Sequence, residues 1–147
     1  LYRHDMKILL LSGGADSMLL YQTHSFDVTV FFDYGQKHLD KEFNCCSDLV
    51  DEIIKLPEFV TKGKEINCRN LSFIINTVST FGGGDIEIYL GTNIEDIYKD
   101  NNREFYNKVE VLINSISFNR VKIVTPLKDK TKKQILKELE LKYYTDK

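Results

Sequence analysis

The run Lys7–Leu11 (KILLL) limits the fold more than any other stretch of the chain. Five residues are too few for a helix, and four consecutive apolar side chains leave no polar face to turn toward water. Such a strand is buried on both sides and needs a layer of structure above and below it. Val28–Phe32 (VTVFF) repeats the pattern with β-branched and aromatic residues, and Ile86–Leu90 (IEIYL) and Val121–Val124 (VKIV) are shorter versions.

Helical periodicity fills the spaces between. A short helical stretch is predicted from about Asp16 to Thr23. From Asp40 to Leu56, apolar residues at Phe43, Cys46, Leu49, Val50, Ile53 and Ile54 form a helical stripe that Pro57 ends. Leu71, Ile74, Ile75 and Val78 mark a helix over Asn70–Phe81, stopped by Gly82–Gly84, and Phe105, Val109, Leu112, Ile113 and Ile116 mark another. Thr131 with Gln134 three positions on is a capping box, opening a last helix through about Leu141. Strands alternating with helices imply right-handed crossovers and a doubly wound, mostly parallel five-stranded sheet with helices on both faces. Residues 1–147 read as one domain, with Leu1–Asp5 ahead of Met6 either an upstream extension or a cloning remnant. A chain this long buries roughly 70% of its unfolded surface, enough for a real core.

Composition closes off several functions. The net charge of −2 does not favour nucleic acid or a membrane surface as partner. No apolar run approaches the roughly 20 residues of a membrane span, and Ile8–Leu11 is too short for a signal peptide. Cys45, Cys46 and Cys68 are odd in number and form no C-x-x-C pair, so they read as reduced thiols of a cytoplasmic protein, with no metal site.

The polar motifs stand at the carboxyl ends of the predicted strands, where open α/β sheets bind ligands. Ser12–Ser17 (SGGADS) follows the first strand, Asp33–His38 the second, Gly91–Asp96 the third and Thr125–Leu127 the last. In the first of these, two glycines let the backbone approach an anion and the next helix adds its positive end. Asp16 is out of place in an anion cradle unless it caps the helix or helps hold Mg²⁺. Neither the Walker pattern nor G-x-G-x-x-G is present.

SGGADS resembles the S-G-G-x-D-S signature of the PP-loop ATP pyrophosphatases. Asp33-Tyr34-Gly35-Gln36-Lys37-His38 resembles the second signature of one branch, the 7-cyano-7-deazaguanine synthases of queuosine precursor synthesis. Cys68-Arg69-Asn70, Gly91-Thr92-Asn93 with Glu95, Asp96 and Asp100, Arg103-Glu104-Phe105, Thr125-Pro126-Leu127 and Thr131-Lys132 resemble later stretches of that branch, in its order. The resemblance implies an adenine nucleotide alpha hydrolase-like fold and a ligase. That ligase uses ATP and Mg²⁺ to adenylate a deazapurine carboxylate, which ammonia converts to the nitrile. Ser12, Gly13, Gly14, Ala15, Asp16, Ser17 and Tyr34 would then bind the nucleotide. Asp16, Lys132 and His38 would serve catalysis, and Arg69, Asn93 and Asp96 would face the acceptor. A homodimer is a further implication.

Four of these residues have a plainer reading: Arg69 as a solvated charge, Asn93 as a turn residue, Asp96 as a helix N-cap, His38 as an ordinary loop histidine. The chain also departs from the branch. It reaches Lys147 without the four-cysteine zinc segment, so no structural zinc is expected. Cys68 replaces a glycine, Asn102 replaces an arginine, and the stretch from Pro57 to Arg69 is short. A PP-loop enzyme with another acceptor, and a nucleotide-binding protein without activity, therefore remain open.

Overall fold

A computed structural model describes residues 5–145, which include Asp5 but not the rest of Leu1–Asp5. Five parallel strands form the main sheet: β1 (Met6–Leu11), β2 (Val28–Asp33), β3 (Glu52–Lys55), β6 (Ile86–Tyr89) and β7 (Val121–Val124). Their order is β3-β2-β1-β6-β7, so the chain reverses its direction of travel across the sheet between β1 and β6. A small antiparallel hairpin, β4 (Thr61–Lys62) and β5 (Glu65–Ile66), stands apart from it.

Alternation along each strand divides the core into two layers. Ile8, Leu10, Val30 and Phe32 face α3 (Arg69–Phe81) and α4 (Arg103–Asn114), whose Ile74, Tyr106, Val109 and Ile113 complete that layer. Leu9, Leu11 and Phe31 face the other side, where Leu19 and Leu20 of α1 (Ala15–Thr23) are buried. Cys46 of α2 (Leu39–Cys46) and Ile135 of α5 (Lys132–Thr145) lie there too. Both faces are covered, as the KILLL run requires, and the sheet is parallel and doubly wound as expected.

The helix predicted over residues 40–56 is corrected. α2 stops at Cys46, Ser47–Leu49 makes one 3-10 turn, and Glu52–Lys55 is the edge strand β3. The reason is tertiary: β2 has an open edge, and residues 49–55 satisfy it. Thr29 Oγ1 donates to the Leu49 carbonyl, and Thr29 N–H donates to Asp51 at 2.9 Å. Strand pairing then runs from Val30↔Glu52 to Asp33↔Lys55. The apolar stripe is divided between two layers: Phe43, Cys46, Leu49 and Val50 pack on one face of the sheet, Ile54 and Leu56 on the other. A pattern read as one helical face belongs to a short helix packed on one layer and an edge strand turned to the other, joined across a 3-10 turn.

The capping box expected at the start of α5 is present. Thr131 and Gln134 close the capping box in both directions, at 2.8 and 3.2 Å. Asn102 caps α4, accepting the Phe105 N–H at 2.8 Å. No helix of the described residues is long and apolar enough to cross a membrane.

Candidate active site at the sheet's switch point

At the carboxyl edge of the sheet, where the strand order reverses, the segments after β1, β2 and β6 border a crevice. The β1 loop is shaped by Gly13, at φ +78°, where a Cβ would run into the Glu42 carbonyl. Gly14 then starts α1 in extended conformation with no side chain capping the helix. The first-turn N–H groups are therefore left to whatever anion approaches, an arrangement that favours phosphate. Ser17, buried, holds the loop together: its hydroxyl accepts from Ser12 N–H and donates to the Gly14 carbonyl, both at 3.3 Å. Ser12 Oγ accepts from Gly14 N–H at 3.4 Å. Ala15 is half-buried against the core layer of Leu9, Leu11 and Leu19.

From the opposite side the β6 loop closes on this turn. A Cβ on Gly91 would lie 2.6 Å from Asp16 Cβ and 3.1 Å from Ser17 N, so only glycine permits the approach. Asp16 stands at the meeting point. One carboxylate oxygen pairs with Lys132 Nζ at 3.0 Å, and the other accepts from Asn93 Nδ2 at 2.9 Å. Lys132 is drawn in from α5 through its backbone N–H, which donates to Glu95 at 2.6 Å. Its side chain is half in solvent, so screening weakens its attraction for Asp16 and leaves its remaining donors to a ligand.

Asn93 links two carboxylates. While its side chain reaches Asp16, its backbone N–H donates to Asp96 Oδ2 at 2.8 Å. Asp96 is thus the acceptor in a tight turn, not a helix N-cap. Burial lifts its carboxyl above the ordinary aspartate range, and the Asp16 charge pushes the same way. The Asn93 N–H, Lys132 and Asn101 only partly offset these effects.

The third wall comes from β2 and α3. Tyr34 and Arg69 meet there, with Arg69 Nη1 donating to the Tyr34 hydroxyl at 3.3 Å. The guanidinium lies 5.7 Å over the Phe73 ring, itself stacked on Phe32 at 4.3 Å. Among the described residues no carboxylate pairs with Arg69. The three walls enclose a cavity of about 180 Å³ that touches Ser12, Asp16 and Ser17 on one side and Arg69, Asp96 and Asn101 on the other. Of the residues singled out from sequence, Ser12, Asp16, Ser17, Tyr34, Arg69 and Asp96 line the cavity; Asn93 and Lys132 reach it only through Asp16, Gly13, Gly14 and Ala15 shape the loop beside it, and His38 is exposed at the N-cap of α2, away from the lining.

Sequence reasoning missed several lining residues. Asn70 is buried and ties α3 to the 100-loop, its Nδ2 donating to the Asp100 carbonyl at 2.9 Å. Gln36 folds back to accept from Tyr34 N–H at 2.9 Å. Asn101 and Tyr106 form the floor. Gly91 was noticed only as part of a motif, although a glycine directly after a buried strand was a usable signal of close approach.

Fold and crevice together define a parallel, doubly wound α/β protein with a crevice at the switch point of the sheet, the place where such folds take ligands. A family model described as "Queuosine biosynthesis protein QueC" matches residues 57–145, and the chain belongs to that family. The 7-cyano-7-deazaguanine synthase of Desulfotalea psychrophila is 32% identical to it, over 87% of this chain and 75% of that protein. The synthase of Methanococcus aeolicus is 26% identical over 88% and 74%. That of Pyrococcus furiosus is 36% identical over 53% of this chain but only 35% of its own length. The D. psychrophila alignment covers 164 positions, more than the 147 residues present here, so that relative carries insertions this chain lacks.

Proposed function

We propose that this chain is an ATP-dependent ligase that adenylates a carboxylate of a 7-deazaguanine and converts it with ammonia to the nitrile. The observation carrying this reading is one cavity that joins an uncapped, glycine-shaped helix start to Arg69, a cation that pairs with no carboxylate among the described residues. The first end suits a polyphosphate, the second an anionic acceptor. Family membership and the names of the relatives support the choice of acceptor.

In this reading the α1 N-terminus and Lys132 bind the pyrophosphate portion of ATP, while Arg69 orients the acceptor carboxylate. A carboxylate oxygen attacks the α-phosphorus and pyrophosphate leaves. Ammonia then adds to the acyl carbon and expels AMP, giving the amide. A second activation, at the amide oxygen, removes that oxygen with AMP and leaves the nitrile. The chain's own contribution is positioning and charge stabilisation. Asp16 fits Mg²⁺ as a single carboxylate beside phosphates, the usual way this ion is held, and the ion would neutralise the departing pyrophosphate. Among the described residues no group of three acidic, histidine or cysteine side chains could hold a metal by itself.

The test is pyrophosphate release from ATP, Mg²⁺ and ammonium salt with a panel of carboxylic acids. Stimulation by 7-carboxy-7-deazaguanine is expected, and its loss in Asp16→Ala/Ser17→Ala together with nucleotide binding. Stimulation by an unrelated acid alone would move the chain to another acceptor. ATP binding without release under any condition would make it a non-catalytic nucleotide binder.

A further inference from the structure

Arg69 is a cation held by neutral groups. Its Nη1 donates to the Tyr34 hydroxyl at 3.3 Å and its Nε to Asn70 Oδ1 at 3.4 Å, with the guanidinium carbon 5.7 Å from the centre of the Phe73 ring. The Asn70 amide has one possible orientation. Its Nδ2 donates to the Asp100 carbonyl at 2.9 Å, a group that only accepts, so Oδ1 faces Arg69. Nε and Nη1 are thus both engaged, while Nη2 has no hydrogen-bond partner among the described residues and is the end left to a ligand.

Tyr34 is itself fixed from two directions. Gln36 folds over the turn, accepting the Tyr34 N–H at 2.9 Å and donating to the Phe32 carbonyl at 3.0 Å. Asp33 accepts the Gly35 N–H at 3.1 Å, and Gly35 takes φ +72°. The Tyr34 ring packs against Phe59 and Phe73, with centroids 5.4 and 5.6 Å away. Backbone and ring are set before any ligand arrives, and the hydroxyl is placed to meet Arg69. The family resemblance alone put Tyr34 with the nucleotide, yet its side-chain partners are Arg69, Phe59 and Phe73, none of them in the Ser12–Ser17 loop. We propose that Tyr34 is a positioning residue of the acceptor site, holding the Arg69 guanidinium so that Nη2 meets the acceptor carboxylate. The inference rests on that carboxylate occupying the Arg69 side of the cavity. Neutral anchors suit this task, because a carboxylate in their place would itself take up the charge and the fork that the acceptor must meet.

Tyr34→Phe removes the hydroxyl and keeps the ring on Phe59 and Phe73, so the thermal midpoint should move little. The acceptor KM should rise about tenfold, the usual effect of losing a hydrogen bond to a charged group, while the KM for ATP moves less than about twofold. Combined with Arg69→Lys, it should leave the acceptor KM no worse than in Arg69→Lys alone, because Tyr34 acts through the guanidinium. A further readout needs no acceptor: the Arg69 Nε–H resonance should shift in Tyr34→Phe. A raised KM for ATP with the acceptor KM unchanged would return Tyr34 to the nucleotide and overturn the proposal. Additive losses in the double variant, or an unmoved Arg69 resonance, would overturn it too. Should wild-type protein respond to no acceptor, the proposed function fails by that result, while the Arg69 resonance still decides whether Tyr34 holds the guanidinium.

Discussion

Asp96 carries a carboxyl that the fold holds above its ordinary range, chiefly by burial and secondarily by the charge on Asp16. The stability consequence has a definite sign. In the interval between the unfolded value, about 3.9, and the higher folded value, the folded state keeps a proton that the unfolded state has lost. The cost of the ionised group is therefore fully present above the folded value and disappears as pH falls through it. Wild type should gain stability relative to Asp96→Ala between pH 7 and pH 4, measured by denaturant unfolding of both proteins. The opposite slope, expected of a carboxylate stabilised by an ion pair, would show that Asp16 and burial do not dominate. Other residues explain what the sequence could and could not reveal. Cys68, which stands where the resembled branch has glycine, takes φ +56° at the start of α3, so the departure visible in sequence falls on a backbone position suited to glycine. Asn102, which stands where the resembled branch has an arginine, caps α4. Asn101 beside it is the pocket residue. Two adjacent asparagines in a polar loop carry no signal that separates these roles.

The elements around the site depend on close approaches that only small residues allow. Gly91→Ala would drive a methyl group against Asp16 and Ser17, parting the β6 loop from the first turn of α1. We expect a stability loss of about 1–3 kcal/mol, typical of overpacking, and at least a tenfold loss of ATP affinity by calorimetry. Unchanged affinity would mean that the two loops do not jointly shape the nucleotide site. The elements also show where periodicity fails. β1 and β2 announced themselves as apolar runs, because burial on both faces demands them; β6 and β7, shorter, still showed through Ile86, Ile88, Val121 and Ile123. β3, at the sheet edge, has only Ile54 turned to the core and reads as a continuation of α2. β4 and β5 are two residues each, too short to leave a pattern. The capping box at α5, by contrast, was legible because its chemistry is local.

At the scale of the whole molecule, charge is absent from one face. Neither residues 71–84 nor residues 111–119 contain a charged side chain, in a chain with 29% charged residues. These segments line an apolar groove between α3 and α4, beside Phe118 at 98% exposure and Ile116 at 73%. A face without charge can meet its own copy without opposing like charges, and here one face carries both a groove and a protruding ring. The homodimer implied by the family resemblance is proposed to form there. Sedimentation should show a dimer for wild type and a monomer for Phe118→Asp, with far-UV dichroism unchanged; a wild-type monomer at micromolar concentration would contradict it. The central claim concerns the chemistry at the opposite, carboxyl edge of the sheet, and oxygen tracing tests it most directly. With ¹⁸O in the acceptor carboxylate, attack on the α-phosphorus must carry one labelled oxygen into the phosphate of the AMP released. Mass spectrometry should find that label in AMP, formed together with pyrophosphate. Unlabelled AMP, or ADP and orthophosphate in its place, would contradict adenylation of the carboxylate.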